Sequence, residues 1–247
     1  MPLAGLLDRW IPVSGRPWSP MNGTTVVVTG AADSVGRAVT TRVIDRGATV
    51  VLGDRDGDRL DELVADHDGS VTGVRTNVRD EFDVERLMET ASRFGESGGI
   101  DVVVAADAVR HGSVGSTPLD EESYTAFDDH MRTNARGVFA TIVEASAHLN
   151  ADARLLVPTE PAARESTPGS GSYAVSRAAA EAVVRGFAAD LPQTVSAVDV
   201  GALGATGEPI ERSLDDVASL FVWAATDAEA PSIDGSVVRR DAPNATS

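Results

Sequence analysis

The stretch Thr24 to Val39, TTVVVTGAADSVGRAV, constrains this chain more than any other. Thr25 to Val28 make a continuous β-branched run, which suits a strand buried on both faces in the middle of a parallel sheet. Gly30 ends the run. From Ser34 onward, Val35, Ala38, Val39 and Val43 recur at three- and four-residue steps, the spacing of a helix with one apolar face, and Gly47 supplies a stop. The turn between strand and helix points a helix N-terminus outward. Such an end carries unpaired N–H groups and about half a positive charge, which suits a pyrophosphate, although plain structural turns use the same pattern.

The alternation continues along the chain. Strands are expected at Thr49 to Leu52, ending in Gly53 and Asp54, and at Val71 to Arg75, Val102 to Val104, Leu155 to Val157, Val195 to Val198 and Ser236 to Val238. Between them, Leu60, Leu63 and Val64 mark one helix and Val84, Leu87, Met88 and Ala91 another. A single long helix is expected from Tyr124 to Ile142, with Phe127, Met131, Asn134 and Val138 along one side. Further helices follow at Ser172 to Phe187 and Asp215 to Ala225. Strands alternating with helices imply right-handed crossovers and a parallel sheet covered on both faces, so residues 23–247 read as one doubly wound α/β domain with a seven-stranded sheet. Residues 1–22 read as an N-terminal arm. Its Trp10 and Trp18 are costly to expose, so it is expected to pack on its own domain or on a neighbouring subunit.

Charge narrows the range of partners. The 247 residues carry a formal net charge of −17, and all 21 basic residues are arginine. Nucleic acid and anionic membrane surfaces would be repelled. No apolar run approaches the ~20 residues needed to span a bilayer, and the arm lacks the cationic start of a secretory signal, so a cytoplasmic location is expected. Dispersed carboxylates without lysine fit a halophilic source, where salt screens self-repulsion, better than an acidic face for one basic partner. There are no cysteines, which excludes disulfides and thiolate chemistry, and the four scattered histidines form no ligand pair on a helix face, so no metal site is expected.

Asp54, at the end of the second strand, is placed to hydrogen-bond an adenosine ribose, which favours NAD, while Arg55 beside it leaves NADP open. Tyr173 and Arg177 are four residues apart on a helix and face the same way. TGAADSVG at Thr29 to Gly36, Asn134, and YAVSR at Tyr173 to Arg177 together resemble the short-chain dehydrogenase/reductase family, in the right order and at the right separations from Thr24 to Asp241. The resemblance implies a Rossmann-type fold. It also implies Tyr173 as general acid/base, Arg177 in the place of the lysine that acidifies it, and Asn134 in a proton relay. Nucleotide contacts are implied at Thr29, Gly30, Ser34, Val35, Gly36, Asp54, Asn77, Val78, Ala105 and Arg177.

The departures from that pattern carry physical meaning. Ser34 replaces a glycine where backbone meets pyrophosphate, and Ala105 to Ala108 read AADA where the family has Asn-Asn-Ala-Gly. The position of the family's catalytic serine falls on Glu160, with Thr159 before it. Bringing a tyrosine from ~10 to near 7 takes about 4 kcal/mol, which one cation about 4 Å away can supply at an effective dielectric of ~20. Glu160 pairing with Arg177 would cancel that field; held protonated, it would donate a hydrogen bond to the substrate. The segment Ala202 to Ser213 is shorter than the family's substrate lid. Three functions are therefore in play. One is an NAD(H)-dependent oxidoreductase interconverting a secondary alcohol and a carbonyl. Another is a catalytically silent, structural relative, alone or beside an active homologue. The last is an altered chemistry built on Glu160. The small-residue faces of the Asn134 and Tyr173 helices are those on which the family commonly pairs, which predicts a homo-oligomer, or a hetero-oligomer with a related chain.

Overall fold

Every residue of β1 (Thr25–Thr29) is buried, and its side chains alternate between two separate apolar layers: Val26 and Val28 enter one, Val27 the other. A strand buried in this way must lie mid-sheet. In the computed structural model, which describes residues 19–67, 69–112, 115–204, 209–210 and 212–239, it does. The other strands are β2 (Thr49–Asp54), β3 (Val71–Arg75), β4 (Ile100–Ala105), β5 (Leu149–Thr159), β6 (Thr194–Asp199) and β7 (Val237–Val238). They form one sheet in the order β3-β2-β1-β4-β5-β6-β7, with every pair parallel.

The helices α1 (Ser34–Ile44) and α7 (Leu214–Thr226) pack on one face of the sheet. On the other face lie α3 (Glu81–Phe94), α5 (Arg136–Ser146) and α6 (Gly171–Asp190). The short α2 (Gly57–Ala65) runs between β2 and β3. Helix starts follow side-chain capping: Asp56, Asp80 and Ser213 accept backbone N–H groups at the starts of α2, α3 and α7. The chain leaves β1 toward β2 on one side and reaches β4 on the other, so a crevice opens beyond the carboxyl ends of β1 and β4.

Two expectations are corrected. The strand expected at Leu155 to Val157 begins at Leu149, and its register against β4 shifts between Ile100 and Val102. The single helix expected from Tyr124 to Ile142 is α4 (Tyr124–His130), a π-helical turn at Met131–Ala135, and α5. The wider turn rotates the helix phase. His130, Asn134 and Val138 therefore face inward, while Phe127, expected on the same side, is exposed. Of the arm, residues 1–18 lie outside the described residues; Met21 is fully buried, and the Ser19 hydroxyl donates to Asp227.

Candidate active site

The turn after β1 is closed by two glycines. Gly30 has φ +63°, and a Cβ there would stand 2.7 Å from the Asp107 nitrogen. A Cβ on Gly36 would collide with the Gly30 carbonyl oxygen, so α1 can start this close to the strand only with glycine at both positions. Thr29 is buried at the base of the turn with its hydroxyl unpaired. Ser34 and Val35, the first residues of α1, line a cavity of about 210 Å³ whose opposite wall is made by Pro158, Tyr173 and Arg177. The fold thus brings the helix N-terminus and the Tyr173 pair to one space.

The nucleotide end is acidic. Asp54, buried at the end of β2, accepts the Ala32 N–H at 2.9 Å and the Asp56 N–H at 3.0 Å, which ties the glycine turn to β2. Burial pushes the Asp33 carboxyl up, Asp54 adds to this, and Arg59 and Arg55 offset part of it. Asp107, just past β4, is pushed up to about 7 by burial and then by Asp54 and Asp33. Asn77 lies on the wall of a larger groove of about 1110 Å³ beyond β2 and β3, with Arg55, Arg75, Arg79 and Arg86. Its backbone N–H donates to Asp83 at 3.0 Å. Val78 is core, packed on Gly137, and Ala105 is buried in register with Thr29. The space between cradle and Tyr173, with the outward N-terminus of α1, fits a dinucleotide held at its phosphates by backbone N–H groups.

Tyr173 lies on the first turn of α6, buried, between two side chains that sequence reading missed. The Arg110 guanidinium sits 3.8 Å from the centre of one ring face, and the His130 ring meets it edge-on at 5.8 Å. Burial raises the phenol's pKa. Arg177 and Arg110 pull it down, Glu160 pushes it further up, and burial wins. The resemblance implied a tyrosine acidified toward neutrality, and in this structure the cations do not overcome desolvation. Of the two states open for Glu160 in the sequence, the pairing with Arg177 is not formed. Glu160 binds Arg110 at 2.9 Å, and Arg177 donates to the Pro158 carbonyl, leaving its Nε without a partner. The Thr159 hydroxyl is turned to Glu181, at 2.6 Å, because adjacent strand residues face opposite ways.

The Asn134 side chain is fully engaged. Its amide accepts the Val109 N–H at 2.7 Å and donates to the Val109 carbonyl at 2.9 Å and to Ser176 at 2.9 Å. His130 accepts the backbone N–H of His111, two residues beyond Val109, at 3.0 Å. Its other ring nitrogen therefore carries the proton and faces Ser172 at 2.7 Å, whose hydroxyl donates to Glu122 at 2.8 Å. Burial and His111 hold His130 below the usual histidine range. The π-turn that rotates Asn134 and His130 inward thereby pins the backbone on both sides of Arg110. No signal marks Arg110 in the sequence, because its position depends on contacts with residues up to 93 places away.

A second cavity, of about 420 Å³, lies outside Tyr173 and is lined among others by Arg110, Glu122, Glu160, Glu165 and Ile210. Among the described residues, no cluster of His, Asp or Glu could hold a metal ion, and no helix is long and apolar enough to cross a membrane.

The family model for enoyl-(acyl carrier protein) reductase matches residues 30–231. The chain is 35% identical over 199 residues to 1-deoxy-11-beta-hydroxypentalenate dehydrogenase of Streptomyces avermitilis, covering 77% of this chain and 72% of the relative. It is 29% identical over 200 residues to the short chain dehydrogenase/reductase AacuN of Aspergillus aculeatus, covering 78% and 73%. A dehydrogenase/reductase from Sinorhizobium meliloti superposes with a TM-score of 0.77 at 25% identity over 90% of this chain and 95% of that one. A short chain dehydrogenase from Burkholderia cenocepacia in complex with NADP does so with 0.75 at 24%, over 90% and 98%. With the start of α1 and Tyr173 on one cavity and Asn134 bonded to Val109 on its wall, these likenesses assign the chain to the short-chain dehydrogenase/reductase family.

Proposed function

We propose that this protein is an NAD(H)-dependent oxidoreductase that transfers hydride between nicotinamide and a small substrate, with an altered catalytic set. The observation that carries the reading is the single cavity walled by Ser34 and Val35 on one side and by Tyr173 and Arg177 on the other. Bound dinucleotide supplies the hydride; the chain supplies orientation and the proton. Gly30, Gly36 and the start of α1 hold the phosphates, and Arg177, whose Nε is unpaired, reaches toward the ribose. Tyr173 exchanges the proton with the substrate. Asn134 acts through Val109, holding the loop that carries Arg110, rather than in a relay.

The three carboxylates at Asp33, Asp54 and Asp107 favour NAD(H), since a 2′-phosphate would add charge beside them; the four arginines of the outer groove favour NADP(H). Titration of both reduced dinucleotides into the protein decides between them, and tighter NADPH binding refutes the assignment of Asp54. Tyr173→Phe is expected to abolish turnover while leaving dinucleotide affinity within about twofold. A silent subunit is the second reading, favoured by Arg110 lying over the Tyr173 ring. Dinucleotide binding with no hydride transfer to ketones or imines in wild type would establish it. The exposed apolar residues Phe139, Val143 and Val175 on α5 and α6 support self-association. The charge of −17 supports adaptation to high salt in the cytoplasm of a halophile.

A further inference from the structure

We propose that the outer cavity is built for a nitrogen electrophile, an iminium ion and the amine it yields, in preference to a ketone and its alcohol; this rests on the oxidoreductase reading above. Glu160 is buried, its side chain only 4% exposed, and its carboxylate stands beside the Tyr173 phenol on the wall of this cavity, where the reacting heteroatom of a substrate must lie. Hydride addition to a ketone builds negative charge on oxygen. A hydroxyl at this position would donate a hydrogen bond to that oxygen, whereas a carboxylate repels it. Hydride addition to an iminium ion passes through a transition state that still carries positive charge on nitrogen, and a carboxylate stabilises it relative to the free, neutral imine.

The same cavity repeats this preference. Glu122 and Glu165 face it as well, and Arg110 is the one arginine among its described lining residues, already bound to Glu160 and to the Leu203 carbonyl at 3.0 Å. Burial works against an ionised Glu122, but two hydrogen bonds from Ser172 hold its carboxyl below the usual range. Arg110 pairs with one Glu160 oxygen and lies over the ring of Tyr173, while the Leu203 N–H reaches the other oxygen at 3.3 Å; Glu122 and Glu165 leave the carboxylates of the cavity in excess of the one arginine described there.

The step balances without a further reactant. Hydride from the reduced nicotinamide bonds to the iminium carbon, the C=N π pair becomes the nitrogen lone pair, and the dinucleotide leaves oxidised. The amine then takes a proton from Tyr173, which is reprotonated from solvent.

Two measurements test this, one of them independent of turnover. Binding of piperidinium and of cyclohexanol to the full-length protein is compared by calorimetry at pH 7 and fixed salt. Piperidinium should bind at least tenfold tighter, and Glu160→Gln should remove most of that difference. The kcat/KM for 1-pyrroline is then compared with that for cyclopentanone, using whichever reduced dinucleotide binds. The imine should lead by at least tenfold in wild type, and Glu160→Ser should move the ratio toward the ketone by at least tenfold. Equal binding of amine and alcohol, or a rate ratio that Glu160→Ser leaves unchanged, overturns the proposal even if the protein reduces ketones. Ammonium selectivity with no hydride transfer to either substrate overturns the oxidoreductase reading instead, and this reaction with it. Glu160→Ser that fails to fold is replaced by Glu165→Gln and Glu122→Gln, each expected to weaken piperidinium but not cyclohexanol; no change in either overturns the proposal.

Discussion

Replacing Asp107 with asparagine isolates the strain that the acidic nucleotide end places on the fold. The folded carboxyl has a pKa of about 7, against a reference of 3.8, from burial and the neighbouring Asp54 and Asp33. An acid whose folded pKa lies above its unfolded value is most favourable to folding when protonated. Its contribution is therefore fully present below about 3.8 and is lost as pH rises through about 7. At about 1.4 kcal/mol per pH unit the whole gap is worth about 4 kcal/mol, and water entering the rim of the cleft reduces this to about 2–4 kcal/mol. Asparagine keeps the shape and cannot ionise. Asp107→Asn should therefore stabilise the protein by about 2–4 kcal/mol at pH 8 but by less than about 1.5 kcal/mol at pH 5. For a chain of this size that is a rise in Tm of roughly 5–15 °C at pH 8. Thermal melts of both proteins between pH 5 and 8, at one high salt concentration, read it directly. A Tm difference that is the same at both ends of the range, or absent, refutes the argument.

Asn134→Ala leaves the part-buried N–H and C=O of Val109 without partners and should destabilise by about 1–2 kcal/mol, measured by urea unfolding; a loss under about 0.5 kcal/mol would show that the Arg110 loop is held by other means. With a charge of −17, Tm should fall steeply as KCl is lowered, and a flat series excludes adaptation to salt. Light scattering at high salt should give a dimer or larger, and Phe139→Asp on the exposed face of α5 should return a monomer; an unchanged assembly places the interface elsewhere.

The order of strands and helices, the glycine turn and the shared face of Tyr173 and Arg177 were legible in the sequence, because each depends on local periodicity, backbone sterics or spacing along one helix, whereas Asn134 stood out only by resemblance to the family. The β-branched run Val26 to Val28 suits a central strand and forms one, and Gly30 and Gly36 lie where the structure leaves no room for a Cβ. The partner of Glu160 was not legible. Arg110 comes from a loop fifty residues earlier, and it reaches Glu160 because a π-turn rotates Asn134 and His130 to grip the backbone on either side of it. The pKa of Tyr173 was not legible for the same kind of reason. Sequence shows which charges are present, but desolvation depends on how completely the tertiary fold encloses the phenol, and here enclosure outweighs two arginines. Periodicity along the chain sets the architecture, whereas the electrostatics of the site arise from contacts between distant segments, and distance through space is decided only when the layers pack.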